Sequence, residues 1–379
     1  MGESGFAAAI REARASGRRL VDLTVSNPTV CGFEYDAEAI LAPLAGGAWA
    51  LTYDPDPRGM RSAREAVVGY YSDHGADVDA DAVVLTTSTS EGYGYLFRLL
   101  CDAGDEVLVA QPSYPLFDFL ADLEDVRLRT YPLFYDHGWW IDFAELELRI
   151  GPRTKAIVVV HPNNPTGHAT GSRERQRLEE ICARHGLALI VDEVFLDYPL
   201  GVEGLVSFAV GPHPVLTFCL SGMSKIAGLP QMKVGWIVGL GPDVDRLQAM
   251  GRLEVIADTF LSMNAPVQGA LPVWLAGRKG VQGQILERVR GNLGTAKMSG
   301  VEVLEVEAGW SAILRLPQIG EGDAAEMLLR EVGVVVHPGS FYGIAETGRV
   351  VVSLLGLEGE FREGLERVVH GLKLNQSSY

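Results

Sequence analysis

Long apolar runs are missing from this chain: nowhere do about 18 consecutive apolar residues occur, so no segment is expected to span a bilayer as a helix. Positive charge is also scarce, with 32 Lys and Arg against 49 Asp and Glu, a formal net charge of −17. Such a chain is repelled by phosphodiester backbones and anionic lipid, which argues against nucleic-acid and membrane-surface partners. Cysteines are few. Cys31, Cys101, Cys182 and Cys219 show neither close pairing nor metal-ligand spacing, so they read as core thiols of a reducing, cytoplasmic compartment, with no disulfide framework and no metal site. No internal repeat and no low-complexity segment is found. The start, Met1 to Phe6, lacks the basic and apolar stretches of a secretory leader, and Asn375 to Tyr379 read as a frayed end.

What the chain does have is 379 residues with 47% apolar content, enough for more than one core and hence for two domains. Four short apolar runs end in polar groups. Ala82–Thr86 leads into a small, hydroxyl-rich loop, Thr87 to Gly92, that opens a helix over Glu91–Leu100; backbone N–H groups and hydroxyls at a helix N-terminus suit a phosphate. Ala156–Val160 precedes His161-Pro-Asn-Asn-Pro-Thr-Gly167, a sharp loop leaving a buried strand. Leu187–Val191 ends at Asp192, and Val215–Leu220 runs toward Lys225. The last three polar sites are spaced by about 30 residues, the repeat of a β-α-β unit, and in an open parallel sheet such strand ends line the ligand crevice.

Lys225 lies among Ser, Gly and Met, with a second cation, Lys233, further along. Burial beside another cation lowers a lysine's pKa, and Schiff-base chemistry needs the resulting free amine. The ordinary alternative is a solvated surface lysine.

In order and spacing, Pro162-Asn-Asn-Pro-Thr-Gly167, Asp192-Glu-Val-Phe195 and Ser224-Lys225 with Lys233-Val-Gly-Trp236 resemble the motifs of fold-type-I pyridoxal-phosphate enzymes of the class I/II aminotransferase family. The resemblance runs from about Val21 to the final helix. It implies an α/β fold: a large domain with a mostly parallel seven-stranded sheet between helices, plus a smaller α+β domain from both chain ends. The corresponding cut is 46–264 against 1–45 and 265–379. In the smaller unit, strands are expected at Val301–Val306, Ala312–Leu316 and Val350–Leu355, with a helix over Ala324–Val332. Also implied are pyridoxal 5′-phosphate as cofactor, an amino acid or amine as donor, a 2-oxo acid as acceptor, and a homodimer.

By position, the resemblance makes Lys225 the Schiff-base lysine, which also moves the proton between Cα and C4′. Asp192 would face the pyridine nitrogen, Asn164 the O3′ atom, and Tyr114 would stack on the ring. Thr89, Ser90 and Ser88, with Ser224 and Lys233, would hold the phosphate, and Tyr53 would reach the phosphate of a neighbouring subunit. A turn cap for Asp192, an Asx turn for Asn164 and simple packing for Tyr114 are the ordinary alternatives.

The departures matter as much. Phe195 replaces a tyrosine that relatives use as an O3′ donor, with Tyr198 a candidate replacement. Gly222 stands where relatives carry a phosphate-contacting serine, with Ser221 one residue away. Val351 stands where relatives place a carboxylate-clamping arginine. Arg349 lies roughly 6.6 Å back along the strand, either reaching in or serving as an edge charge. If it does not reach, the carboxylate is held elsewhere, for instance by the backbone near Asn27, or the substrate lacks one. Phe33, Tyr35, Phe341 and Tyr342 favour an uncharged or aromatic side chain; His337 reads equally as structural or functional. Transamination is the leading reaction. A carbon–sulfur β-lyase is the alternative, and a non-catalytic sensor module a distant one.

Overall fold

The computed structural model describes residues 5–202, 204–317 and 323–376, so the last three residues of the expected frayed end lie outside the described ones. Near the N-terminus, β1 (Val21–Asp22) leaves the first helix, Gly5–Ala15. The central sheet is then built from β2 (Val83–Thr86), β3 (Glu106–Gln111), β4 (Arg127–Tyr135), β5 (Trp139–Ile141), β6 (Thr154–Val160), β7 (Ala188–Asp192), β8 (Thr217–Gly222) and β9 (Gly235–Leu240). Their spatial order is β2-β9-β8-β7-β6-β3-β4-β5. Strands β3, β4, β6, β7 and β8 are mutually parallel, whereas β9 runs antiparallel to both β8 and β2.

Strands β7, β8 and β9 are buried along their whole length. Continuous apolar strands of this kind need cover on both faces, which helices provide. Alternation sorts the side chains: Ile157, Val159, Leu189, Val191 and Cys219 join one core, while Ala156, Val158, Ile190, Phe218 and Leu220 join the other. The sheet has one strand more than the expected seven. Three-residue β5 returns antiparallel on β4 through a turn in which His137 takes φ 52°, too short a strand to stand out in the sequence.

The remaining strands are β10 (Glu302–Val303), β11 (Ser311–Arg315), β12 (Val334–Val335), β13 (His337–Pro338) and β14 (Arg349–Ser353). β12 pairs in parallel with β1, and the others form a four-stranded sheet in the order β10-β11-β14-β13. The helix Ala324–Val332 has the expected bounds, capped by Asp323 and ended by Gly333 at φ 66°. The strand expected over Val301–Val306 shrinks to two residues. The following segment leaves the ladder to dock on the large sheet's loops, where the Ala308 N–H donates to Gly167 O (3.1 Å).

After the helix Asp243–Phe260, Asn264 caps the helix Ala265–Gly277, whose Ala270, Leu271 and Trp274 share a core with Ala63, Val67 and Tyr70 of the helix Arg61–Asp73. All four cysteines are free thiols, three of them buried. Among the described residues, no helix is long and apolar enough to cross a membrane.

Candidate active site

A cavity of about 450 Å³ opens where β6, β7 and β8 end. Ser88, Thr89, Ser90, Tyr114, Asn164, Asp192, Ser224, Lys225 and Lys233 all line it. The sheet explains the convergence: Asp192 is the last residue of β7, while Asn164 and Lys225 sit in the segments just beyond neighbouring β6 and β8.

One end of the cavity is an anion seat. Ser88 caps the helix Thr89–Leu100, accepting the Glu91 N–H (3.2 Å), and the Glu91 carboxylate in turn accepts the Thr87 N–H (2.6 Å). The N-terminus of that helix, with Thr89 and Ser90, therefore stands at the cavity, where unpaired first-turn N–H groups favour an anion. Gly222 and Gly235 pair across β8 and β9. A Cβ on Gly235 would lie 2.9 Å from Ser88 C and 3.0 Å from Thr89 N, so glycine there lets the seat's backbone rest against the strand. A Cβ on Gly222 would lie 2.7 Å from Val234 O, which excludes a serine there without a backbone shift. Ser221 does not replace it, because its buried hydroxyl faces Glu193 O at 3.5 Å. Lys233, exposed and held at φ 53°, supplies a cation to the rim.

The deeper part holds an acid and an amine. Asp192 accepts the Tyr93 hydroxyl on Oδ2 and the Val194 N–H on Oδ1, both at 3.1 Å. Burial raises its pKa to about 6, against the opposing effects of those donors and of Lys225. Enclosure lowers the Lys225 pKa, with Asp192 acting against it. Its Nζ lies 4.9 Å from the Trp310 ring centre and 5.6 Å from that of Phe195. Tyr198 takes no part in the cavity: its hydroxyl donates to the Lys225 backbone carbonyl (2.5 Å), so it does not substitute for the donor absent at Phe195. Asn164 Oδ1 accepts the Ser311 hydroxyl (3.3 Å), which leaves its amide hydrogens available.

Three predicted positions fall elsewhere. Arg349 opens β14 opposite Arg315 of β11 and lies outside the cavity, which Val351 lines instead; partial burial and the Arg315 charge both depress its pKa. The Asn27 side-chain Oδ1 accepts the Thr29 N–H (3.1 Å) and hydroxyl (2.8 Å) as the cap of the Pro28–Val30 turn. Tyr53 is 82% exposed and lines a separate cavity with Trp49, Met60 and Met263. Of the aromatic residues expected near the entrance, Phe341 and Tyr342 line the site. Phe33 lies beneath the Arg288 guanidinium (5.1 Å), and the Tyr35 hydroxyl donates to Gly228 O (2.8 Å).

Sequence reasoning missed Tyr93, Trp310, Ser311, Thr24 and Ser26, all in the cavity wall. Tyr93 had a signal, since it lies four residues beyond Thr89 on the same helix face. The others come from the second sheet and the N-terminal segment, with no motif to mark them. The Asn164 loop is itself anchored: His168 sits between Glu174 Oε2 (Nε2, 3.0 Å) and Glu307 Oε2 (Nδ1, 3.3 Å). Burial alone would lower its pKa, but the two carboxylates raise it to about 9.

A family model described as "Aminotransferase class I and II" matches residues 37–368. The glutamate-pyruvate aminotransferase AlaA of Haemophilus influenzae is 30% identical over 273 residues, 71% of this chain and 67% of that protein. The alanine aminotransferase of Mycobacterium tuberculosis is 30% identical over 274 residues, 72% of this chain and 64% of the relative, so the matches span about two thirds of these curated proteins. In fold, the chain is similar to an aminotransferase from Escherichia coli with a TM-score of 0.86 at 22% identity, covering 98% of this chain and 95% of that one. It is also similar to an alanine aminotransferase from Pyrococcus furiosus with a TM-score of 0.85 at 21% identity, covering 98% and 100%. The chain belongs to the class I and II aminotransferase family.

Proposed function

We propose that this chain is a pyridoxal-phosphate-dependent aminotransferase that moves an amino group between an amino acid or amine and a carbonyl acceptor such as a 2-oxo acid. The observation carrying this reading is that Lys225 Nζ and the Asp192 carboxylate face one cavity whose mouth is an anion seat. The residues fit the cofactor. Asp192 is a buried acid held by neutral donors and facing a cavity, which suits a protonated ring nitrogen. The glycine pair behind Thr89 lets backbone N–H groups approach a phosphate closely.

Bound there, the cofactor supplies an electron sink for the carbon that carries the transferred nitrogen. Lys225 Nζ would hold the cofactor through its free amine and would serve as the base and acid that moves a proton on the substrate side of the cavity. Asp192 would keep a ring nitrogen protonated, the Asn164 amide would donate to a ring oxygen, and Tyr114 would cover the ring. Ser88, Thr89, Ser90, Ser224 and Lys233 would hold the phosphate. Trp310 and Phe195 keep water from the amine, which sustains its depressed pKa.

We further assign residues 46–264 to a cofactor domain and 1–45 with 265–379 to the smaller one. A cytoplasmic location is supported by the four free thiols. A homodimer is supported by exposed Tyr53, which lies outside its own protomer's site; equilibrium sedimentation tests that assignment. The function itself is tested by adding pyridoxal phosphate and then an amino donor without acceptor. A chromophore that converts once to the pyridoxamine form establishes transamination. A chromophore that persists while ammonia accumulates would instead favour the β-lyase, and absence of any adduct on Lys225 rejects both.

A further inference from the structure

The cavity contains two lysines and no arginine. On the functional reading above, Lys225 carries the cofactor and Lys233 neutralises its phosphate. Within one protomer, no permanent cation then remains for a second anion.

Two of the wall hydroxyls are already committed, and a neutral hydroxyl such as those of Ser26 or Ser353 supplies no opposite charge. Thr24 already donates to Asp22 Oδ1 (2.5 Å), and Ser311 already donates to Asn164 Oδ1 (3.3 Å). Where β13 meets β14, His337 pairs in register with Val351, and both line the cavity. His337 Nδ1 lies 3.0 Å from the Tyr342 hydroxyl, and its ring packs edge-on against Phe341 with centroids 5.3 Å apart. Burial lowers its pKa, with Asp22 acting the other way, so it is a neutral imidazole at pH 7. A carboxylate brought against Val351, Phe341 and a neutral imidazole would lose its hydration with no opposite charge in return. A neutral apolar or aromatic chain loses nothing there.

We propose that this site takes amino donors without a carboxylate on the nitrogen-bearing carbon, namely primary amines with an apolar or aromatic chain, the Val351–His337 pair forming an uncharged wall where a carboxylate would otherwise bind. This rests on the functional reading above and narrows its substrate class. The exchange balances: the donor's CH–NH2 becomes C=O, a two-electron oxidation, while the aldehyde carbon of bound pyridoxal phosphate becomes CH2–NH2. The water lost on imine formation is regained on hydrolysis. The same charge count narrows the acceptor from a 2-oxo acid to an aldehyde or an uncharged ketone.

The test uses one matched pair on the cofactor-loaded protein, 2-phenylethylamine and L-phenylalanine, which differ only by the carboxylate. The expected result is single-turnover conversion of the amine at a rate equal to or above that of the amino acid, and no calorimetric binding of 3-phenylpropionate. Val351→Arg is expected to raise the amino-acid rate relative to the amine by about 10- to 100-fold and to create phenylpropionate binding. His337→Lys, which adds a cation from the facing strand, tests the same point should Val351→Arg fail to fold. Phenylalanine reacting more than tenfold faster in the unmodified protein, or phenylpropionate binding to it, overturns the proposal and leaves the aminotransferase reading standing. Cofactor bound on Lys225 with turnover of neither compound, nor of any other amine or amino acid, overturns both.

Discussion

His168 Nδ1 lies 3.3 Å from Glu307 Oε2, which joins the loop carrying Asn164 to the segment that leads into Trp310 and Ser311. The Glu307 carboxylate also accepts the Ala169 N–H (2.8 Å), so one side chain fixes this join from two directions.

The contact predicts a stability profile. The folded pKa of His168 is raised to about 9 from an ordinary 6.5, so its stabilisation is fully present below pH 6.5 and is lost as pH rises through about 9. Glu174 and Glu307 are shifted the other way, and their share is lost as pH falls through their lowered values. His168→Gln should therefore destabilise the protein most near pH ~6.5, by an amount on the order of 3 kcal/mol at most and seen as a lower Tm, with the gap from the unmodified protein closing toward pH ~10. Thermal melts across that range measure it.

Tyr93→Phe removes the hydroxyl that donates to Asp192 Oδ2. That donor holds down a pKa which burial has raised to about 6, so its loss moves Asp192 further up. Cofactor affinity should then weaken at higher pH than in the unmodified protein as the solution is acidified. The expected loss is on the order of 1 kcal/mol at neutral pH, read by fluorescence titration with pyridoxal phosphate.

Gly222→Ser would add a hydroxyl beside the anion seat, yet it should weaken phosphate binding. The new Cβ meets Val234 O at 2.7 Å and Gly235 Cα at 3.0 Å, both backbone atoms that cannot rotate away. A destabilisation of roughly 1–3 kcal/mol is expected, visible as a lower Tm in the apoprotein. A variant as stable as the parent would show that the strand pair yields more easily than this geometry implies.

Lys225→Ala should abolish the borohydride-reducible adduct and lower turnover by about 10²–10⁴-fold, whereas Lys233→Ala should keep the adduct and raise the cofactor Kd. Mass spectrometry after reduction separates the two outcomes.

The strand-end residues were legible because each follows an apolar run long enough to be a buried strand, and polar groups just beyond such runs converge in a parallel sheet. The His337–Val351 pairing was not legible, because β13 has only two residues and a register that short leaves no periodicity to read. Tyr198 could be located in the chain but not in space. Its direction depends on the turn after Glu193, where Leu196 and Tyr198 N–H groups bond back to Glu193 and Phe195. The Glu307 contact was hidden for a different reason, since it lies 139 positions beyond His168 and neither residue belongs to a motif.

The Tyr198 hydroxyl, clasping the Lys225 carbonyl from beneath the cavity floor, turns the lysine into a tethered arm. Its main-chain pivot is pinned, so the amine beside Trp310 and Phe195 stands at the end of four methylenes anchored at one fixed point. Loosening the pivot with Tyr198→Phe would leave every group that touches the cavity in place and still spoil the arm's aim.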